Sequence, residues 1–520
     1  MRRFFRILVV CAVLVSLPFV VFQYLFSVPS MPDRSNSVFI PASDDTKLSV
    51  MLSPLVSQHP DTSGVMWLEQ GFDAFATRIL LINLAEDSID LRTYIWQNDI
   101  TGFLMLDAVR RAAERGVRVR LLLDDNGTPN LDTELAFLNS HPNIEIRLFN
   151  PFVLRSPRLA TFVFDFMRVN RRMHNKSMNI DGMVVIAGGR NIGDIYFSAS
   201  EAVNYFDLDV AVFGLAAAEV AADFDIYWAS PSAVPVDLLL EPVETDSKVL
   251  ADSVAAARAN PNSKSYADAL EKSDTVRSLL SGTAQIEWVK VELVSDNPIK
   301  GQGLAERGDL MIARLAKILG TPETSVTLVS AYFVPGDQLS NLLTGWSQNG
   351  VTVRTLTNSQ EATDVLPVHA GYLKYRDVLL DGGIGIYELK SDQDSASLRE
   401  MFRRFDLTGS SSASLHAKTF MIDRDQLFVG SFNFDPRSTN LNTEMGFLIH
   451  SPKMAGTLAD AFDRLTKTAT YHVTLTAKGK KLWTEYTDDG TERVYDVEPK
   501  TTWITRTAVW VIADHVDVVI

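Results

Sequence analysis

The sequence predicts an α/β fold made of two fused copies of one unit, each a mixed or parallel sheet flanked by helices, with a pseudo-twofold axis between them. Three observations predict it: strand–helix–strand periodicity in each half, a nearly constant offset between matched residues, and one uncommon motif that occurs twice. In the first half residues 89–96 read as a strand, 102–115 as a helix, and Gly116 opens a second strand, Gly-Val-Arg-Val-Arg-Leu-Leu-Leu. In the second half residues 326–334 read as a strand, 338–348 as a helix, and Gly350 opens Gly-Val-Thr-Val-Arg-Thr-Leu. A helix acting as crossover between strands argues for parallel pairing. Tyr94 matches Tyr332, Gly116 matches Gly350 and His174 matches His416, at separations of 238, 234 and 242 residues. Loop insertions account for that drift.

The 520 residues suffice for two or three domains with sizeable cores. At 46% hydrophobic and 22% charged residues the composition is globular, and the formal net charge of -15 disfavours a nucleic-acid partner. A single cysteine, Cys11, allows no internal disulfide and no cysteine-built zinc site. The domain boundaries expected are 1–30 for an amino-terminal anchor or signal peptide, 60–240 for the first lobe, 241–284 for a surface insertion, 285–470 for the second lobe and 471–520 for an extension.

At the amino terminus Arg2, Arg3 and Arg6 precede an apolar run from Ile7 to Phe26, close to the roughly 20 residues that cross a bilayer. Positive charge before the run keeps that end cytoplasmic and places the body outside. Two readings stay open: an uncleaved anchor, favoured by the length of the run, and a signal peptide cut near Val28-Pro29-Ser30. Residues 240–284 have helical composition but little apolar stripe. The tail carries alternating Tyr471-His-Val-Thr-Leu-Thr, a polar turn at Asp488-Asp489-Gly490, and an apolar end from Trp503 to Ile520. With Asp514 and Asp517 that end is too charged to span; it lies in the membrane interface or packs on the body.

The chemistry is carried by a doubled frame. His174-Asn-Lys176, four residues, Asp181, six residues and Gly188-Gly189-Arg190-Asn191 match His416-Ala-Lys418, four residues, Asp423, six residues and Gly430-Ser431-Phe432-Asn433. Alone, H-x-K is weak; two copies of the full frame among eight histidines are not coincidence. Residues i and i+2 of a strand share a face, so each histidine sits beside its lysine. The ammonium holds a phosphate oxygen while the imidazole reacts. Asn191, Asn433 and the Ser431 hydroxyl supply hydrogen bonds to the same oxygens, and the glycines admit close backbone. Joined, the copies surround one phosphodiester with two histidines, two lysines and two asparagines. No metal or cofactor is called for, because the lysines supply the charge.

One histidine attacks phosphorus while the other protonates the leaving alcohol and later deprotonates the acceptor. Each needs a carboxylate behind its ring. Asp207 and Glu444, at matching places 33 and 28 residues after the histidines, are the expected orienters, with Asp209 as a competitor for the first. Asp181 and Asp423 are counted with the catalytic set as motif members, their work being to order the local turn and the lysine. His369 reads as a core or capping histidine rather than a pocket residue. The stretch with Arg155, Arg158, Arg168, Arg171 and Arg172 among Phe162, Phe164, Phe166 and Met167 has two readings: a helix packed on the body, or a lip meeting anionic headgroups and acyl chains. His59, His141, His450, His472 and His515 belong to no constellation.

These frames resemble the HKD motifs of the phospholipase D superfamily. Over residues 65–470, the runs Arg-Arg-Met-His-Asn-Lys, Gly-Gly-Arg-Asn-Ile-Gly-Asp, Phe-Val-Pro, Gly-Ser-Phe-Asn-Phe-Asp-Pro-Arg-Ser and Leu-Asn-Thr-Glu-Met-Gly-Phe are similar to the bacterial cardiolipin synthase C group. The resemblance implies two phospholipase D-type lobes and transfer of a phosphatidyl group onto phosphatidylglycerol. The small alcohol released is glycerol or, with phosphatidylethanolamine as donor, ethanolamine. It further implies that His174 attacks and His416 is the acid; the amino-terminal segment, for its part, gives the bacterial inner membrane, with the body on the periplasmic side, as the expected location. The rivals are a hydrolase with water as acceptor, a nuclease, which the acidic charge disfavours, and an inactive scaffold, which intact motifs in both copies disfavour.

Overall fold

The structure is a computed structural model that describes residues 2–31, 37–198, 200, 203–244, 247–391, 412–487 and 490–513. The expected turn residues Asp488 and Asp489 lie outside the described residues, as do Asp514, His515 and Asp517.

Each half builds one large mixed sheet. In spatial order the first holds Glu287–Val289, Ser63–Leu68, Asp209–Gly214, Val184–Gly188, Ser177–Ile180, Ser88–Thr93, Arg118–Asp124, Ile144–Phe149 and Ala233–Pro235. The second holds Val291–Ser295, Met445–His450, Gln426–Gly430, Lys418–Ile422, Ser325–Ser330, Thr352–Asn358, Gly385–Leu389, Thr470–Leu475, Lys481–Tyr486 and Glu492–Tyr495. In both, the three strands linked by crossover helices run parallel, and the motif strand pairs antiparallel with the first of them. The crossover Ile100–Glu114 starts where Asp99 accepts from the Gly102 amide at 3.0 Å, and it buries Met105, Leu106, Val109 and Ala113 at helical spacing. Its counterpart is Gly336–Gln348.

Both expected first strands end early. Ser88–Thr93 stops because Tyr94, Ile95 and Trp96 turn to the motif loop: the Ile95 amide donates to Asn191 Oδ1 at 3.1 Å, and Trp96 bridges Ile192. Ser325–Ser330 stops because Phe333 bridges Phe434.

The sheets meet face to face. Val65, Val185, Val210 and Val212 of the first pack with Met421, Leu427, Val429, Phe447 and Ile449 of the second in one apolar cluster. The chain crosses between sheets at Lys290, so one strand of the first sheet comes from sequence far beyond its repeat.

Residues 241–284 correct an expectation. They include the helices Val249–Ala259, Ser263–Lys272 and Asp274–Leu280, and Leu250, Val254, Ala257, Tyr266 and Leu279 are buried in the first lobe's core. Spacings of four and three residues from Leu250 to Ala257 do make an apolar stripe. At the other end Trp503–Ala513 packs on the body through Val509 and Ala513 against Ala370, leaving Trp503 and Trp510 exposed.

The helix Arg2–Leu25 is long and apolar enough to cross a membrane. Its far end rests on Arg158–Phe164: the Phe19 and Phe22 rings lie 5.0 and 5.1 Å from that of Phe164, and Gln23 donates to the Phe164 carbonyl at 3.1 Å. The arginines of this stretch turn inward. Arg155 and Arg158 pair with Asp125 and Asp132, Arg168 with Asp165, and Arg172 with Asp124. What faces out is apolar: Leu159 is 72% exposed and Met167 75%, with Val163 and Phe166 beside them. The stretch therefore exposes an apolar rather than a basic lip, because carboxylates hold four of its five guanidinium groups.

Candidate active site

The two motifs meet through backbone as well as side chains. The His174 amide donates to the Thr443 carbonyl at 2.9 Å, and Met173 bridges Thr443. On the other side Val203–Phe206 and Ser412–Leu415 form a parallel ladder, and the His416 amide donates to the Phe206 carbonyl at 2.8 Å. Each histidine is thus strapped to the segment that carries the other half's carboxylate.

The side chains cross in the same sense. His174 Nδ1 lies 2.8 Å from Glu444 Oε2, and His416 Nδ1 lies 2.5 Å from Asp207 Oδ2. Sequence proximity pointed each carboxylate at the histidine of its own copy; the fold exchanges them. Asp209, the competitor, pairs with Arg78 at 2.7 Å and Arg190 at 3.5 Å instead.

Both imidazoles, both lysines and both carboxylates are buried. Lys176 Nζ donates to the His174 carbonyl at 2.7 Å, and Lys418 Nζ donates to that of His416. The aspartates of the frames hold neither lysine, which corrects that part of the expectation and their place in the catalytic set. Asp181 accepts the amides of Glu86, Asp87 and Ser88 at 3.0, 2.9 and 2.9 Å, and Asp423 accepts those of Glu323, Thr324 and Ser325. Those amides open strands Ser88–Thr93 and Ser325–Ser330, at the ends remote from Arg92 and Ser330, which pair with Ser177 and Lys418. Both aspartates adopt positive φ, 50° and 53°, at the turn that ends the motif strand.

Ser431 requires a second correction. Its hydroxyl donates to Glu444 Oε2 at 2.5 Å and accepts from the Met445 amide at 3.0 Å, which leaves it behind the carboxylate rather than toward a phosphate. Ser438 donates to the other Glu444 oxygen at 2.7 Å. In the first copy a Cβ on Gly189 would fall 2.0 Å from Asp207 Oδ1, so the difference between Gly189 and Ser431 follows the carboxylate beside each. Asn191 Nδ2 and Asn433 Oδ1 are buried with no hydrogen-bond partner among the described residues. Buried amides left open in this way are ready for a ligand; a half turn of the Asn433 amide offers its N–H₂ at the same place.

Electrostatics separates the two sides. Burial, then Lys176, Lys418 and His416, drives His174 well below its ordinary value, so its ring is neutral at physiological pH. His416 is lowered by burial and Lys418, with Asp207 opposing. Burial alone would raise Asp207, but His416 and Lys418 hold it well below the usual carboxylate range. Glu444, with Lys176 as its main counterweight, is pushed up by burial to about 7. Burial lowers Lys176 to about 7 and Lys418 to about 8.

Sequence reasoning missed an aromatic wall. The Tyr94 ring lies 4.9 Å from His174, Tyr205 stacks on His416 at 4.9 Å, and Tyr196 meets its edge at 5.2 Å. Tyr205 and Tyr332 both donate to Asp364 Oδ2, at 2.9 and 2.8 Å. The match of Tyr94 with Tyr332 was a signal; nothing local marked Tyr196, Tyr205 or Asp364. Also missed was Asp296, which accepts from the Glu444 amide at 3.0 Å and from Lys300 at 2.7 Å. His369 is a core histidine, 3.4 Å from Glu498.

The family profile described as cardiolipin synthase, PLD-like domain, matches residues 79–228 and 315–466. Cardiolipin synthase C of Escherichia coli K12 is 44% identical over 439 residues, 84% of this chain and 92% of that one. An uncharacterised protein of Helicobacter pylori 26695 is 33% identical over 79% of this chain and 80% of its own length. The crystal structure of phosphatidylserine synthase from Haemophilus influenzae Rd KW20 aligns over 90% of this chain and 97% of that one, with TM-score 0.52 and 14% identity, a likeness of fold. With two profile matches covering both motifs and a relative this similar along most of its length, the chain belongs to the cardiolipin synthase family of PLD-like enzymes.

Proposed function

We propose that the protein is a phosphatidyltransferase that makes cardiolipin from two phospholipids through a phosphohistidine. The observation that carries this reading is the crossed pair of imidazoles, each backed by the opposite half's carboxylate and flanked by a lysine. Because Nδ1 of each ring faces a carboxylate, the chemistry falls to Nε2. His174, kept neutral, attacks phosphorus: an N–P bond forms, the P–O bond to the leaving headgroup breaks, and His416 gives that oxygen a proton. Asp207, ionised, counters the burial that lowers His416, so His416 is the less depressed of the two rings and the better suited to be the acid. His416 then takes the proton of a glycerol hydroxyl of phosphatidylglycerol, whose oxygen displaces His174 and yields cardiolipin. Lys176, Lys418, Asn191 and Asn433 bind the non-bridging oxygens.

Phosphatidylglycerol is the acceptor in this reading, and phosphatidylglycerol or phosphatidylethanolamine the donor. The membrane is the second partner. Arg2, Arg3 and Arg6 ahead of the apolar helix support a single anchor with the body on the periplasmic side of the inner membrane. The apolar lip beside that helix leads in five residues from Val169 to His174, which suits delivery of headgroups to the cleft.

The test is incubation of the purified full chain with defined lipids and identification of products by mass spectrometry. Cardiolipin with free glycerol or ethanolamine is expected. Phosphatidic acid as the sole product favours water as acceptor. His174→Ala and His416→Ala each lower turnover by about 10²–10⁴; more than about a hundredth of wild-type activity in either contradicts the mechanism.

A further inference from the structure

The pseudo-twofold symmetry of the fold breaks at one place that the proposed chemistry does not use. After the carboxylate strand of each half comes a helix, Leu215–Trp228 in the first and Pro452–Thr468 in the second, and their first residues are 237 positions apart, as are Asp207 and Glu444. In the first lobe Phe224, Tyr227 and Trp228 fill the space between helix and sheet, packed on Leu122, Phe149 and Met173. The Arg92 guanidinium lies 4.8 Å above Tyr227, and that of Arg120 lies 4.8 Å above Phe224.

In the second helix the buried Phe462 stacks under Arg354 at 4.7 Å as Phe224 does under Arg120, but the places of Tyr227 and Trp228 hold Arg464 and Leu465, and the strand residue matching Arg92 is Val329. Leucine does not replace an indole, and Arg464 turns to solvent. The result is a half-open cavity of about 650 Å³. Val329, Leu356, Ala461, Leu465, Trp67 and Phe206 line it, so the first lobe contributes to its wall. Asp207 and Ala417 also line it, and Ala417 lies between His416 and Lys418. Protein interiors are otherwise close-packed, and ligand pockets measure about 300–1,000 Å³.

We propose that this cavity of the second lobe binds an acyl chain of an anionic phospholipid, whose phosphate faces Arg464 and Lys467. Apolar side chains form most of the lining, with Glu69, Asp207, Thr419 and Thr457 among them, which favours an apolar chain as occupant. Arg464 and Lys467 line the cavity, are exposed and form no ion pair among the described residues, which supplies charge complementarity for an anionic head. The identity of the occupant as a phospholipid rests on the proposed function; the cavity does not. A chain seated here lies against the Asp207–His416 pair, so the site holds a lipid next to the proposed acid.

The test is a binding measurement on the full chain in detergent, with no turnover required. Phosphatidylglycerol with brominated acyl chains is titrated while tryptophan emission is followed. A saturable quenching component is expected that disappears in Trp67→Phe. Ala461→Phe, which adds a phenyl at a lining position, raises the half-saturating concentration about tenfold, and Leu458→Phe, at another lining position, does the same. Far-UV circular dichroism of each variant reports its folding. Arg464→Ala with Lys467→Ala weakens the phospholipid but leaves a brominated diacylglycerol unchanged. Unaltered titrations in both filled variants overturn the cavity. Quenching by a brominated free fatty acid alone overturns the phospholipid assignment. Failure to form cardiolipin leaves this readout unmoved, so the two proposals fail separately.

Discussion

At the scale of single residues, burial moves the titration of three kinds of group, histidine, lysine and glutamate, away from where they titrate in water. Burial lowers both lysines, to about 7 for Lys176 and about 8 for Lys418, while the charges that bind phosphate must stay positive. The sign follows directly: below about 7 both ammoniums are present, and raising the pH through 7–8 removes them. We expect kcat/KM, which reports the free enzyme, to fall with rising pH, first as His416, lowered from 6.5, loses its proton and then through 7–8 as the ammoniums go. His174, lowered well below 6.5, keeps the acid limb on the acid side of that value. A profile flat from about pH 6 to 9 on a soluble phosphodiester would contradict the reading of buried lysines as the phosphate charge.

At the scale of elements, the frame aspartates and the apolar lip make separate statements. Asp181 and Asp423 each tie the turn after a motif strand to the amides that open a neighbouring strand. Removing Asp181 strands those buried donors, so Asp181→Ala should cost about 1–3 kcal/mol in urea unfolding, and Asp423→Ala less because its contacts are exposed. Folded protein of either variant should keep most of its turnover, which a catalytic aspartate would not permit. The lip is tested by Leu159→Asp with Met167→Asp. Activity on phosphatidylglycerol vesicles should drop about tenfold or more, while activity on a dispersed short-chain analogue stays level. Equal losses on both substrates would assign these side chains to packing.

At the scale of the whole molecule, neither half owns a complete histidine–carboxylate pair. This predicts a pattern of couplings. Ser431→Ala and Glu444→Gln act on the His174 side and should be strongly non-additive in kcat, since both disturb one network. Ser431→Ala and Asp207→Asn belong to opposite sides and should combine nearly additively. Reversal of that pattern would return each carboxylate to its own copy. Ser431→Ala should also leave KM unmoved, because the hydroxyl contacts Glu444 and not phosphate.

Local spacing along the chain is enough to read a good part of this molecule. An alternation of two places His beside Lys, a helical period marks the crossovers, and a repeated frame announces two equivalent units. Residue spacing alone therefore matches Tyr94 with Tyr332 and His174 with His416, and the family resemblance lies in those same runs. Which carboxylate serves which histidine was legible only in three dimensions. The ladder between Val203–Phe206 and Ser412–Leu415 and the bridge of Met173 to Thr443 join segments more than 200 residues apart. Folding likewise turns Ser431 from phosphate to Glu444 and brings four arginines of the lip onto internal carboxylates. A helix in each lobe carries matched positions, yet Tyr227 and Trp228 fill the space beneath one while Arg464 and Leu465 leave a cavity beneath the other. Such outcomes depend on long-range pairing and on volume, and a one-dimensional pattern carries neither.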